Sequence, residues 1–220
     1  MDGFDGFPTS LRVCGISANI PASWAKWRDE TPDGFVFSVK ASRFCTNRRQ
    51  LASAGESIAK FFAQGLSELR DRLGPINWQF AGTKQFDPVD FGTFLSQLPK
   101  EVAGLPLRHA LEVRHESFRN PRFYELARQH NAAIILADSD DHPEIEEATA
   151  DFTYARLMRT REKIPTGYDA RALDRWARRA CGWAARGDAF VYFISGAKVR
   201  APAAAEALIA RLARHKRRRT

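Results

Sequence analysis

The sequence is poor in the features that announce the commonest active sites. It has three cysteines, Cys14, Cys45 and Cys181, odd in number and far apart. With no C-x-x-C pair, neither a zinc knuckle nor a redox dithiol is supported, and the thiols read as reduced and mostly buried. No apolar run exceeds the six residues 132–137, far short of the roughly 20 that span a bilayer, so no membrane partner is expected. The opening Met1-Asp2-Gly3-Phe4-Asp5 is acidic and lacks the charged-then-apolar build of a signal peptide, which predicts a cytoplasmic address. Neither G-x-G-x-x-G nor G-x-x-x-x-G-K-[ST] occurs, so a glycine-rich phosphate loop is not expected. H-E-x-x-H and G-x-S-x-G are missing too. Ser57-Ile58-Ala59-Lys60 matches S-x-x-K, but it lies in an amphipathic stretch without K-T-G or S-D-N companions. The cluster Asp138, Asp140, Asp141 and His142 fails the EF-hand pattern for want of its glycine and closing glutamate. No metal and no cofactor is therefore expected.

What is present is core. The 220 residues are 44% apolar and include 16 Phe and 5 Trp, enough for one large domain. The net charge of +8 comes from 34 basic and 26 acidic residues. Six of the basic ones, Arg211, Arg214, Lys216, Arg217, Arg218 and Arg219, lie in residues 211–220 with no acid among them. The basicity is thus concentrated in a tail, which can grip a phosphate backbone by counterion release.

Apolar β-branched runs alternate with stretches of helical period. Strands are predicted at 35–39, 76–80, 107–113, 133–137, 152–157 and 190–193, with a possible further one at 11–16. Helices are predicted at 51–73, stopped by Gly74-Pro75, at 87–98, at 120–127, at 169–185 and at 202–214. Strands joined through helices imply parallel pairing by right-handed crossovers. Without a glycine-rich first turn, a barrel-like (β/α) repeat is favoured over an open doubly wound sheet.

In such folds chemistry gathers at the carboxyl ends of the strands. Those ends deliver Lys40, Gln79, Glu112, Arg114, His115 and Asp138, and the fifth strand carries Arg156. Glu112 and Arg114 are two apart and face one side of a strand. They form either a ligand-binding pair or a structural ion pair closing the barrel top. Glu112, His115 and Asp138 are the candidates for proton transfer. Lys40, Gln79, Arg114 and Arg156 are the candidates for binding substrate, the cations by attracting negative charge. Asp138 has a plainer reading as a cap or turn residue.

Several stretches carry a family resemblance. They are Ser23-Trp24-Ala25-Lys26-Trp27, Thr31-Pro32-Asp33-Gly34-Phe35-Val36-Phe37-Ser38-Val39-Lys40, Leu73-Gly74-Pro75-Ile76 and Ala110-Leu111-Glu112-Val113-Arg114-His115-Glu116-Ser117-Phe118. Thr149-Ala150-Asp151-Phe152-Thr153-Tyr154-Ala155-Arg156-Leu157 and Val191-Tyr192-Phe193 continue it. In order and spacing the chain resembles the YecE-like family, domain of unknown function 72, over residues 22–210. The resemblance implies a TIM-like barrel and no assigned activity. It also implies a domain at 22–210 between a poorly defined segment, 1–21, and the basic tail, 211–220.

The family's opening Gly-Thr-Ser-Gly-Trp strand and its Val-Glu-Ile-Asn-x-x-Phe-Tyr strand have no clear counterpart. The expected barrel is therefore incomplete at its N-terminus, and a second copy closing the gap is one expectation. Where the family has Leu-His-Gly and Tyr-Phe-Asn-Asn-Asp, this chain has Leu157-Met158-Arg159 and Tyr192-Phe193-Ile194-Ser195-Gly196. Met and Ile lack the hydrogen-bonding capacity of His and Asn. Three function classes remain open: an enzyme or binder of a small anionic or sugar-like ligand, a nucleic-acid-associated protein acting through its tail, and a degenerate, inactive relative.

Overall fold

The computed structural model describes residues 21–217. Helix α1 (Pro21–Glu30) leads to strand β1 (Phe37–Lys40), a one-turn helix α2 (Arg43–Thr46) and helix α3 (Gly55–Phe62). Strand β2 (Leu73–Gln79) and helix α4 (Pro88–Ser96) follow, then a small hairpin of β3 (Glu101–Val102) and β4 (Leu105–Pro106). Next come β5 (His109–Glu112), α5 (Pro121–Gln129), β6 (Ala132–Ile134), β7 (Leu136–Asp138) and β8 (Phe152–Leu157). Helix α6 (Ala170–Ala184), β9 (Asp188–Phe193) and α7 (Ala201–Arg217) complete the order.

Outside the hairpin every pairing is parallel, in the orders β1-β2-β5-β6 and β7-β8-β9. β6 and β7 are halves of one strand. Only Ile135 separates them, and its N–H still donates to Leu111 O at 3.0 Å. The first half pairs with β5 and the second with β8, so the run of parallel strands continues across the break. The result is an α/β, TIM-barrel-like repeat that is not closed between β1 and β9 among the described residues. It is curled nonetheless. Ser38 on β1 meets the Tyr154 hydroxyl on β8 at 2.9 Å. Ser38 Oγ gives its own proton to Pro75 O, also at 2.9 Å, so Tyr154 is the donor between them.

Strand alternation sorts the side chains. Ala110, Ala133, Ile135, Phe152, Tyr154 and Tyr192 face the concave side and form a small core there. Trp78, Leu111 and Ile134 face outward into an aromatic layer with Phe91, Phe94, Phe118 and Phe123. Leu136, Ala155 and Leu157 face outward beneath Trp176 and Trp183 of α6 and Leu208 of α7. Three helices begin where capping chemistry dictates: the side chains of Asp87, Asn120 and Asp169 accept backbone N–H groups of α4, α5 and α6. Pro88 and Pro121 occupy first-turn positions, where a missing N–H costs nothing.

The structure corrects several boundaries. The expected helix at 51–73 is three pieces: 3-10 turns at Leu51–Ser53 and Leu66–Arg72 flank α3. Gly74 and Pro75 lie inside β2 and stop nothing. A Cβ on Gly74 would sit 2.4 Å from Val36 Cγ1 and 2.8 Å from Phe37 O, so the close approach of β1 selects glycine there. The last helix, expected at 202–214, runs on to Arg217, with Leu212 packed on the core and Arg211 Nε donating to Asp174 at 2.7 Å. The strand expected at 11–16, and Cys14 with it, lie outside the described residues. Of the other cysteines, Cys45 is buried and Cys181 half-buried. No helix among the described residues is long and apolar enough to cross a membrane.

Candidate functional site

Because the strands are parallel, their carboxyl ends share one rim. Four strands send polar side chains from it onto the concave face: Lys40 from β1, Asn77 and Gln79 from β2, Glu112 from β5 and Arg156 from β8. Register makes this unavoidable. Lys40 pairs with Asn77, and Gln79 with Glu112.

Glu112 is the centre and is completely buried. Its Oε1 accepts from Arg114 Nε at 3.0 Å and Nη2 at 2.6 Å. Its Oε2 accepts from Asn77 Nδ2 at 3.0 Å and from Arg156 Nη1. Gln79 Nε2 spans both oxygens at 2.9 Å each. Burial alone would raise the carboxyl's pKa; the two guanidiniums and the two amides overcome it and hold the pKa at about 2. Glu112 is thus held as an anion, with both oxygens accepting hydrogen bonds from Asn77, Gln79, Arg114 and Arg156.

Lys40 differs. It is half-buried, and its Nζ makes no hydrogen bond or ion pair among the described residues. Burial lowers its pKa; Glu112 opposes the shift, while Arg114 and Arg156 reinforce it. Arg114 leaves 27% of its side chain exposed and Arg156 only 9%, so Lys40 and Arg114 are the groups open to an incoming molecule. Three cations face one carboxylate, and the site carries a surplus of positive charge. The Oδ1 of Asn77, a residue 4% exposed, has no hydrogen-bond donor among the described residues, which is costly in a dry setting. Asn77 lies two positions before Gln79 on the same face, so strand alternation was the signal by which it could have been found.

Two expected members stand apart. Asp138 belongs to the outward-facing set, since Ala137 pairs with Arg156 and Asp138 with Leu157. It accepts from the Tyr168 hydroxyl at 2.5 Å and pairs with Arg159 Nη1 at 3.2 Å. Burial raises its pKa against the pull of Tyr168 and Arg159. Register therefore places Asp138 on the opposite face of the sheet from Glu112. Tyr168 and Arg159, which surround it, were not legible as partners, because the loop that brings Tyr168 back has no periodicity. His115 turns into its own 3-10 turn, Glu116–Phe118. Its Nδ1 accepts the Ser117 N–H at 3.1 Å and lies 2.9 Å from Ser117 Oγ. It makes no hydrogen bond to Glu112 or Arg114, and caps the turn instead. No group of three or more His, Cys, Asp or Glu among the described residues is placed to hold a metal.

A family model described as "Protein of unknown function DUF72" matches residues 19–220. The chain belongs to the DUF72 family. Solved structures of DUF72 proteins share the fold. One from Thermotoga maritima is 19% identical, with a TM-score of 0.66 over 89% of this chain and 79% of its own. One from Enterococcus faecalis is 17% identical, with a TM-score of 0.71 over 90% of this chain and 86% of its own. At such identities the likeness concerns architecture alone. No match was found among the curated proteins.

Proposed function

We propose that this DUF72 protein binds a small anion, a carboxylate or a phosphate, at the rim formed by Lys40, Arg114 and Arg156. One observation carries the reading: three cations are assembled around a single carboxylate, and Lys40 makes no hydrogen bond or ion pair among the described residues. Burying unpaired positive charge is unfavourable unless an anion balances it. Glu112 serves as the anchor that fixes both guanidiniums, and Gln79 and Asn77 hold Glu112 in turn.

Thermal unfolding with inorganic phosphate and with pyruvate tests this, since a ligand of the folded state raises its stability. At a hundredfold excess over Kd the gain is about 2.7 kcal/mol. The expected result is a concentration-dependent rise in Tm that Lys40→Met abolishes. No rise with either anion, or an equal rise in the variant, refutes it.

A second reading has its own observation. Arg171, Arg175 and Arg178 recur at helical spacing on α6, are all exposed, and make no ion pair among the described residues. Such a stripe, with the basic end of α7, suits a phosphate backbone.

A further inference from the structure

Resting on the anion-binding reading, we infer that Lys40 is a nucleophile that forms an imine with a 2-oxo carboxylate. Lys40 stands on the concave face at the carboxyl end of β1, and among the described residues none of its three N–H positions is committed to an acceptor. The acid nearest in the network, Glu112, is fully engaged by Asn77, Gln79, Arg114 and Arg156, so it does not clamp the ammonium in an ion pair. The guanidinium of Arg114, partly exposed at the same rim, is a fork shaped for the carboxylate of the incoming acid. The Asn77 Oδ1, on the residue in register with Lys40, is a buried acceptor with no donor among the described residues. A carbinolamine hydroxyl or an iminium N–H formed on Lys40 supplies one.

Burial, reinforced by the two guanidiniums and opposed by Glu112, lowers the pKa of the Lys40 ammonium, the direction that eases its loss of a proton. In the step, the neutral nitrogen's lone pair attacks the carbonyl carbon, and the carbonyl oxygen takes a proton to become the carbinolamine hydroxyl. The nitrogen gives one of its two protons to solvent in exchange, which leaves a neutral carbinolamine. The hydroxyl then takes a second proton from solvent and leaves as water while the nitrogen's lone pair forms the C=N bond, which yields the iminium cation with its remaining N–H. Nothing is oxidised or reduced.

The test is borohydride trapping of the full chain at neutral pH with glyoxylate or pyruvate, read by peptide mass spectrometry. Hydride adds to the iminium carbon and leaves a carboxymethyl or carboxyethyl group on the lysine. The expected result is modification of the Lys40 peptide ahead of the exposed Lys26 and Lys60, competed by phosphate and lost in Lys40→Arg. Lys40→Arg keeps the positive charge without a nucleophilic amine, and its cooperative thermal unfolding in the absence of any anion reports that the variant is folded. A Tm rise with pyruvate but no Lys40 adduct overturns the imine and leaves anion binding standing. No Tm rise and no adduct overturns both. Labelling of Lys40 no faster than that of Lys26 and Lys60 also overturns the imine.

Discussion

Glu112 sits where a mistake would be expensive. Its side chain is completely buried, and two guanidiniums depend on it for their counter-charge. Removing one member of a buried ion pair typically costs about 3–5 kcal/mol, because the abandoned charge remains. Glu112→Gln should destabilise the fold by a comparable amount, read as a shift in the urea midpoint at pH 7. The pH dependence has a definite sign. The folded pKa of about 2 lies below the ordinary value of 4.5. The contribution is therefore complete above about pH 4.5 and is lost as pH falls through that window towards 2. Its size is on the order of 3 kcal/mol. The wild type should lose that much between pH 5 and pH 2 beyond what Glu112→Gln loses; parallel profiles would contradict the assignment. At this scale the sequence was half legible. Two-residue spacing placed Glu112 and Arg114 together, and strand-end position found Lys40, Gln79 and Arg156. Asp138 misled because residues 132–137 are apolar throughout, and a strand buried on both faces carries no alternation from which to read the direction of the next side chain.

The elements show the same division. Strand–helix alternation was legible from apolar periodicity, and the capping residues Asp87, Asn120 and Asp169 lie next to predicted helix starts. What failed was the stretch before β2. Ile58, Phe61, Leu66 and Leu69 are all buried, which mimics one long helical face, yet Gly65 turns the chain with φ of 84° between two shorter pieces. Gly74 then read as a helix stop, although its role is to let β1 approach. Neither the hairpin β3-β4 nor α1 was anticipated. The hairpin has arms of two residues each, too short for any period. The role of Gly74 is testable. Gly74→Ala places a methyl against Val36 Cγ1 and Phe37 O at less than contact distance, and such overpacking typically costs about 1–3 kcal/mol. The expected outcome is a lowered urea midpoint together with weaker phosphate stabilisation, since β1 carries Lys40. Unchanged stability would mean that the β1-β2 seam yields without cost.

Across the whole molecule, charge divides into two places with different physics. At the rim, cations are gathered inward around one buried carboxylate, where screening is weak. On the outer layer the arrangement is a solvated stripe. Arg179 on α6 is tied to Glu144 and Glu146, and Arg211 on α7 to Asp174. Arg171, Arg175 and Arg178 have no such ties among the described residues. A solvated stripe contributes little to folding but attracts a polyanion, and salt separates that use from binding at the rim. Each phosphate contact on duplex DNA adds about 0.9 to the slope of log K against log salt. If the stripe engages DNA, replacing all three arginines with glutamine should reduce that slope by up to about 3 while leaving the phosphate-induced rise in Tm intact. DNA binding with an unchanged slope in the triple variant, or no DNA binding by the wild type at low salt, would show that the outer arginines only solvate the fold, and would leave the rim as the one site with a ligand to find.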